Sequence, residues 1–366
     1  MLFVGLAVYA ASLVLALALT PWVRVRARRA GFVDEPGPRK IHEAPVPLGG
    51  GIAVAAAALL PLLGGLAAAA ILSRGARPAW VPEQVFVNIP GALSKGPQLV
   101  AIAVGALLLF GIGLLDDLRD LGWGWKFLVQ IGVAVGTVAS GVRLSLFMEQ
   151  GPSWVHHVAA LVTVLWIVGI TNAFNFLDNM DGLTTGVAAV ASLAFLAVAV
   201  MTGQDFIALF LAAILGACVG FLPYNLAPAS IYLGDSGALV IGYLLSALTV
   251  LFTFYREGYP LFAILVPLVV LAVPLFDTIT VIWIRLREGR SPFRGDNSHL
   301  SHRLVALGLS RPAAVTTIWL LTLVTGVSAV LLYQVQALGA VLVLVQVVLV
   351  LSLVVVLESA GRRRQG

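Results

Sequence analysis

Apolar residues in this chain come in long blocks, not in the one-sided or alternating patterns of a soluble domain. A helix that crosses a bilayer needs about 20 largely apolar residues. Windows of that kind run Leu2–Thr20, Leu48–Leu72, Gln98–Leu115, Lys126–Val142, Val158–Phe174, Gly186–Met201, Phe206–Tyr224, Ala238–Phe254, Leu261–Ile284, Ala313–Tyr333 and Leu338–Leu357. The pattern predicts an all-α polytopic membrane protein with about eleven transmembrane helices. No tandem repeat, low-complexity tail or inserted soluble domain interrupts it, so residues 1–366 read as a single integral-membrane domain.

Composition agrees: 60% of the 366 residues are hydrophobic and 11% are charged, a balance that excludes a soluble globular domain and a nucleic-acid-binding protein. The placement of charge is more informative than its sum. Arg74, Arg77, Lys95, Arg143 and Arg256 fall in one set of connections, and the other 17 of the 22 Lys and Arg fall in the alternate set. By the positive-inside rule the richer set faces the cytoplasm. The first window lacks a basic segment before it and is followed by an Arg cluster, so it reads as an uncleaved helix with its N-terminus outside. An odd helix count then leaves the C-terminus inside. A single cysteine, Cys218, excludes a disulfide framework and a Cys-based zinc site.

Three acidic clusters sit at ends of apolar windows, all on the expected cytoplasmic side: Asp116-Asp117-Leu-Arg-Asp120, the stretch Asn172 to Gly182, and Gly234-Asp235-Ser236-Gly237. Charge in or near a bilayer is costly and usually functional. On a helix Asp116 and Asp120 share a face, and carboxylates so close repel unless a cation offsets them. Mg²⁺, with Mn²⁺ as a substitute, suits oxygen ligands and phosphate bridging. Asn172, Asn175, Asp178 and Asp181 recur every three residues, roughly one helical face of poor helix formers. Asp235 with Ser236 suits the N-cap of the next helix, while Gly234 and Gly237 would admit a phosphate close to the backbone.

Cations gather as well. The loop of residues 285–312 carries Arg287, Arg290, Arg294, His299, His302 and Arg303, a wall suited to an anionic, phosphate-bearing substrate. His299 and His302 share a helix face but lack the carboxylate of a zinc motif. Lys40 and His42, in the first cytoplasmic loop, are a second anion contact, and His156 and His157 are assigned nothing. Neither a Walker A loop nor a Rossmann fingerprint nor a nucleophile elbow is present in convincing context.

In their order along the chain, Arg39-Lys40-x-His42, Asp116-Asp117-x-x-Asp120, Asn172-x-x-Asn175-x-x-Asp178-x-x-Asp181-Gly182, Asn225, Gly234-Asp235-Ser236-Gly237 and the histidine loop resemble the polyprenyl-phosphate N-acetylhexosamine-1-phosphate transferases (glycosyltransferase family 4). The first and last of these motifs resemble the N-acetylglucosamine branch more than the muramoyl-pentapeptide branch, although Ser301 stands where that branch usually has a middle histidine. The resemblance implies a Mg²⁺-dependent enzyme of the bacterial inner membrane. It would transfer a sugar 1-phosphate from a UDP-N-acetylhexosamine to undecaprenyl phosphate, releasing UMP and starting a lipid-linked envelope glycan such as lipopolysaccharide or teichoic acid. Asp235, with Asp178 or Asp117, would hold the metal, and Asp116 would hold or deprotonate the lipid phosphate. Asp181 and Asn225 would contact the nucleotide, in a site that includes Asn172 and Asn175; His299, His302 and Arg303 would hold the sugar diphosphate, and Lys40 and His42 other phosphate oxygens. A covalent aspartyl intermediate and direct attack both stay open, as do monomer and homodimer. Two other classes fit less well. Aromatic prenyltransferases carry two similar aspartate motifs, whereas these clusters differ; transporters place acidic groups in mid-helix within inverted repeats, whereas these lie at helix ends.

Overall fold

The computed structural model describes residues 2–35, 44–119, 121–144, 152–254, 260–291 and 297–365, the side chains of 359–365 excepted. The order is α1 (Leu2–Arg29), β1 (Val33–Asp34), β2 (Val46–Pro47), α2 (Gly50–Leu72), α3 (Glu83–Ser94), α4 (Gly96–Arg119), α5 (Trp123–Ala139), α6 (Ser153–Leu177), α7 (Leu183–Met201), α8 (Asp205–Asn225) and α9 (Gly234–Leu251). There follow a 3-10 turn (Leu261–Leu265), α10 (Val266–Val270), α11 (Ala272–Arg287), α12 (Leu300–Ala306), α13 (Arg311–Leu331) and α14 (Ala337–Gln365).

Every apolar window of the sequence holds a helix. Among the described residues, nine are long and apolar enough to cross a membrane, and a tenth span forms if residues 261–270 and α11, which meet at 63°, count as one. α5, with 17 residues, is the remaining apolar helix. The stretch Ser73–Pro97 carries the amphipathic α3, preceded by an exposed Trp80. Leu and Val side chains on α1, α4 and α14 stand exposed, as a lipid-facing surface requires.

The bundle is built around α9, in which Ser236 to Val250 are buried without a break. A helix apolar on all sides must be enclosed, and α9 is packed by α4, α6 and α2. Small residues allow the close approach that membrane helices rely on. A Cβ at Gly51 would lie 2.3 Å from the Gly237 backbone nitrogen, and one at Gly113 would lie 2.6 Å from Ser236 Cα. The Tyr243 hydroxyl meets Thr137 Oγ1 at 2.7 Å and ties α9 to α5. The start of α9, where Asp235 lies, is thus held closely by α2 and α4.

Candidate active site

The acidic clusters meet at the N-terminus of α9. Asp117, at the end of α4, accepts the Asp235 backbone N–H at Oδ1 (2.8 Å) and that of Ser236 at Oδ2 (3.2 Å). It therefore satisfies helix-start donors that have no partner inside the helix, and its negative charge suits that end of the helix dipole. The expectation that Asp235 caps its own helix is corrected: Leu233 is the N-cap, and the capping carboxylate comes from a residue far away in sequence. The expected role of Gly234 changes with it. Gly234 takes φ +73°, and a Cβ there would stand 2.6 Å from Asp117 Oδ2, so this glycine admits a carboxylate. Gly237 packs against Leu233 and Gly51, not against open space for phosphate.

Released from capping, Asp235 points both oxygens outward. Oδ1 accepts from Asn175 Nδ2 at 2.9 Å and Oδ2 from Lys126 Nζ at 2.8 Å. The same ammonium donates to Asp116 Oδ2 at 2.7 Å, while Asp116 Oδ1 accepts the Leu121 backbone N–H at 2.7 Å. Lys126 on α5 thus bridges carboxylates from α4 and α9. It is the site residue that the sequence reading missed, since it entered only as a positive-inside charge. Its signal was present, because a lysine inside an apolar window is itself a marker of function.

The helical face expected through Asp181 ends early. α6 stops at Leu177 with Asp178 as its C-cap, and the chain turns through Gly182, at φ +73°, into α7. Asn172 and Asn175 are therefore on the helix and the two aspartates on the turn. Asn172 donates to Gln130 Oε1 and to the Val168 carbonyl at 2.8 Å, linking α6 to α5. Asp178 is held by surroundings, not by a partner cation: burial, then the negative charges of Asp235 and Asp117, push its carboxyl up to about 8. Asp181 Oδ2 accepts the Ala229 backbone N–H at 2.9 Å, and Asn225 joins Thr185 Oγ1 (2.9 Å) to the Ile231 carbonyl (3.2 Å). Both shape the segment between α8 and α9, and Asn225, which is buried, has its amide engaged at both ends.

That segment also receives the first loop. The Val33–Asp34 and Val46–Pro47 ribbon closes the loop's base, and Tyr232 bonds through its backbone to Pro47 and Gly50. Lys40 and His42, together with Asp120 and Arg294, lie outside the described residues.

The histidine loop docks on the end of α6. His299 Nδ1 donates to Asp277 Oδ2 at 2.9 Å, the Leu300 N–H donates to Asp277 Oδ1 at 2.5 Å, and the His299 ring lies edge-on to Phe176 at 5.8 Å. Ser301, the departure from the branch pattern, donates to Asn179 Oδ1 at 2.5 Å, beside Asp178. His302 sits partly buried on α12. Arg303 is spoken for within the protein: it bonds Glu358 on α14 (2.9 Å), the Ser298 carbonyl (2.6 Å) and Thr280 on α11 (3.1 Å). These contacts make Arg303 a clamp between α11, α12 and α14. Arg285, buried and lying 5.6 Å over the Phe176 ring, is the cation closer to the α6 end.

Among the described residues no three His, Cys, Asp or Glu side chains converge as a metal cage. Mg²⁺ does not need one, since one or two carboxylates with water and substrate phosphate complete its shell. The donor set fits such an ion: hard oxygens, with Asp178 crowded by two further negative charges that a divalent cation would offset.

The family described as glycosyl transferase family 4 matches residues 99–253, the span from α4 to the end of α9. A protein of Bacillus subtilis named probable undecaprenyl-phosphate N-acetylglucosaminyl 1-phosphate transferase is 35% identical, over 88% of this chain and 83% of its own. A decaprenyl-phosphate N-acetylglucosaminephosphotransferase of Mycolicibacterium smegmatis is 35% identical over 82% of this chain and 75% of its own. A phospho-N-acetylmuramoyl-pentapeptide-transferase of Desulforudis audaxviator is 32% identical over 82% and 89%. With the motifs in order and relatives matching along most of their length, the chain belongs to glycosyl transferase family 4, in its branch of polyprenyl-phosphate N-acetylglucosamine-1-phosphate transferases.

Proposed function

We propose that this enzyme transfers N-acetylglucosamine 1-phosphate from its UDP derivative to undecaprenyl phosphate, releasing UMP, at the cytoplasmic face of the inner membrane. In this orientation the N-terminus lies outside and the C-terminus inside, as the 17-to-5 split of basic residues favours. The observation that carries the reading is the Lys126 bridge between Asp116 and Asp235, with Asn175 on the far oxygen. Three stretches distant in sequence place opposite charges at one point, as in-line phosphoryl transfer requires.

A lipid phosphate oxygen attacks the β-phosphorus of the donor, the bond to the bridging oxygen breaks, and UMP leaves with the electron pair. Such a reaction depends chiefly on alignment and charge stabilisation. Lys126 offsets the charge of the acceptor phosphate next to Asp116, which orients that phosphate and takes any proton it still carries. Asp235 and Asp178 would hold Mg²⁺, which when bound neutralises the diphosphate and stabilises the departing UMP. Arg285 supplies positive charge behind the donor side, with His299 beside it, and the segment shaped by Asp181 and Asn225 borders the nucleotide. Lys40 and His42 complete the phosphate contacts from the first loop.

Purified protein with undecaprenyl phosphate, Mg²⁺ and a panel of UDP-sugars tests the reading through UMP release. UDP-N-acetylglucosamine should be turned over fastest. Release with none of the panel would overturn it.

A further inference from the structure

We propose that Asp277 is a positioning residue for the transfer: it fixes the ring of His299 and so sets His299 and Arg285 against the catalytic end of α6. Asp277 lies on α11, inside an apolar window, and is 1% exposed. A buried carboxylate without partners is costly, and this one has two from the histidine loop. Oδ1 accepts the Leu300 N–H and so starts α12; Oδ2 accepts His299 Nδ1–H. Accepting that proton settles the tautomer, because the second ring nitrogen, Nε2, then keeps its lone pair.

Nε2 in turn lies 3.5 Å from Arg285 Nη2, beyond the ordinary range of such bonds. The guanidinium also lies over the Phe176 ring, 5.6 Å from its centre. Phe176 follows Asn175, which holds Asp235, and lies two residues before Asp178. A chain of contacts therefore runs from Asp277 through His299 and Arg285 to the segment that carries the reaction. A free imidazole would sample both tautomers and several ring angles. With Asp277 present it has one, and the buried Arg285 guanidinium is held in one place behind the donor side of the site.

This rests on the functional reading above, in which His299 and Arg285 stand on the donor side. The test compares UMP release by the full-length wild type, Asp277→Asn, His299→Ala and the double variant, alongside ¹⁵N-histidine spectra. Asparagine keeps the shape and one acceptor but presents an N–H₂ group, so it cannot serve both partners.

Asp277→Asn should lower kcat by about tenfold or more, and the double variant should be no worse than His299→Ala alone, the non-additivity of residues acting through one another. In the wild type the resonance lost in His299→Ala should be that of an Nδ1–H tautomer, and Asp277→Asn should change it. Three results would overturn the proposal: activity of either single variant within about twofold of wild type, effects that multiply in the double variant, or an Nε2–H tautomer in the wild type. The last needs no folded variant of Asp277 and no turnover. It therefore separates failure of this proposal from failure of the functional reading, which would show as a wild type that releases no UMP.

Discussion

Replacing Lys126 by methionine removes the ammonium and leaves its aliphatic stem. Asp116 Oδ2 and Asp235 Oδ2 lie 2.7 and 2.8 Å from the same nitrogen, so they are at most about 5.5 Å apart. Two unit charges at that distance repel by roughly 3 kcal/mol at an effective dielectric of about 20, and by less than about 1 kcal/mol in bulk water. Side-chain exposures of 11% and 25% place the pair nearer the first figure. A repulsion of about 3 kcal/mol equals about two pKa units, so the two carboxylates are forced apart or driven toward protonation. The variant then lacks the cation at the acceptor phosphate and the charge balance that holds Asp116 and Asp235 in place. UMP release at pH 7.5 should fall by about a hundredfold or more, the order seen when one preorganised charge is lost from a phosphoryl or acyl site. Lys126→Arg should retain more activity, because a guanidinium still reaches two carboxylates. Initial rates of both variants, with thermal unfolding in detergent to confirm folding, provide the measurement. A Lys126→Met enzyme that folds and works within about threefold of wild type would refute the reasoning.

Further predictions concern the packing, the cation and the clamp. Gly51→Ala should cost about 1–3 kcal/mol of stability, because its Cβ would enter the backbone of α9; Gly64→Ala, with nothing within 4 Å, should be silent in the same melting assay. The Asp178 carboxyl, raised to about 8, is mostly protonated at pH 7 and must lose that proton to bind a cation. Mg²⁺ affinity should therefore climb with pH up to about 8 and then level off, and Asp178→Asn should flatten the curve. Calorimetry in buffers of different ionisation enthalpy would count the released proton, and a pH-independent affinity would remove Asp178 from the cation's shell. The sign for stability is opposite: with no cation bound, a raised carboxyl pKa stabilises the fold below about 4 and loses that contribution as pH rises through about 8. Arg303→Ala should destabilise the protein by about 1.5–3 kcal/mol through its lost bond to Glu358. Glu358→Gln should remove part of the same energy, and fully additive losses in the double variant would contradict the clamp.

Much of this was legible in advance because a bilayer simplifies the code. Each long apolar block became a helix, and acidic residues at block ends were brought to one place. Departures arose where local and distant partners compete. Spacing by three carried the helix of Asn172 and Asn175 too far, since Asp178 and a left-handed Gly182 end it. The sequence Asp235-Ser236 looks like a cap, yet Asp117 arrives from α4 and takes the backbone donors, which no local pattern reveals. Lys126 and Asp277 were each a lone ionisable residue in an apolar window, a legible signal outweighed by denser clusters nearby. The bond of Arg303 to Glu358, 55 residues away, was not legible from local pattern either.

The measurement closest to the central claim is UMP release by Asp116→Asn, Asp117→Asn and Asp235→Asn, each alone, with His156→Ala as control. If these carboxylates form one centre at the start of α9, each substitution should lower the rate by about 10²-fold or more while His156→Ala leaves it unchanged. Near-normal rates in all three aspartate variants would contradict it.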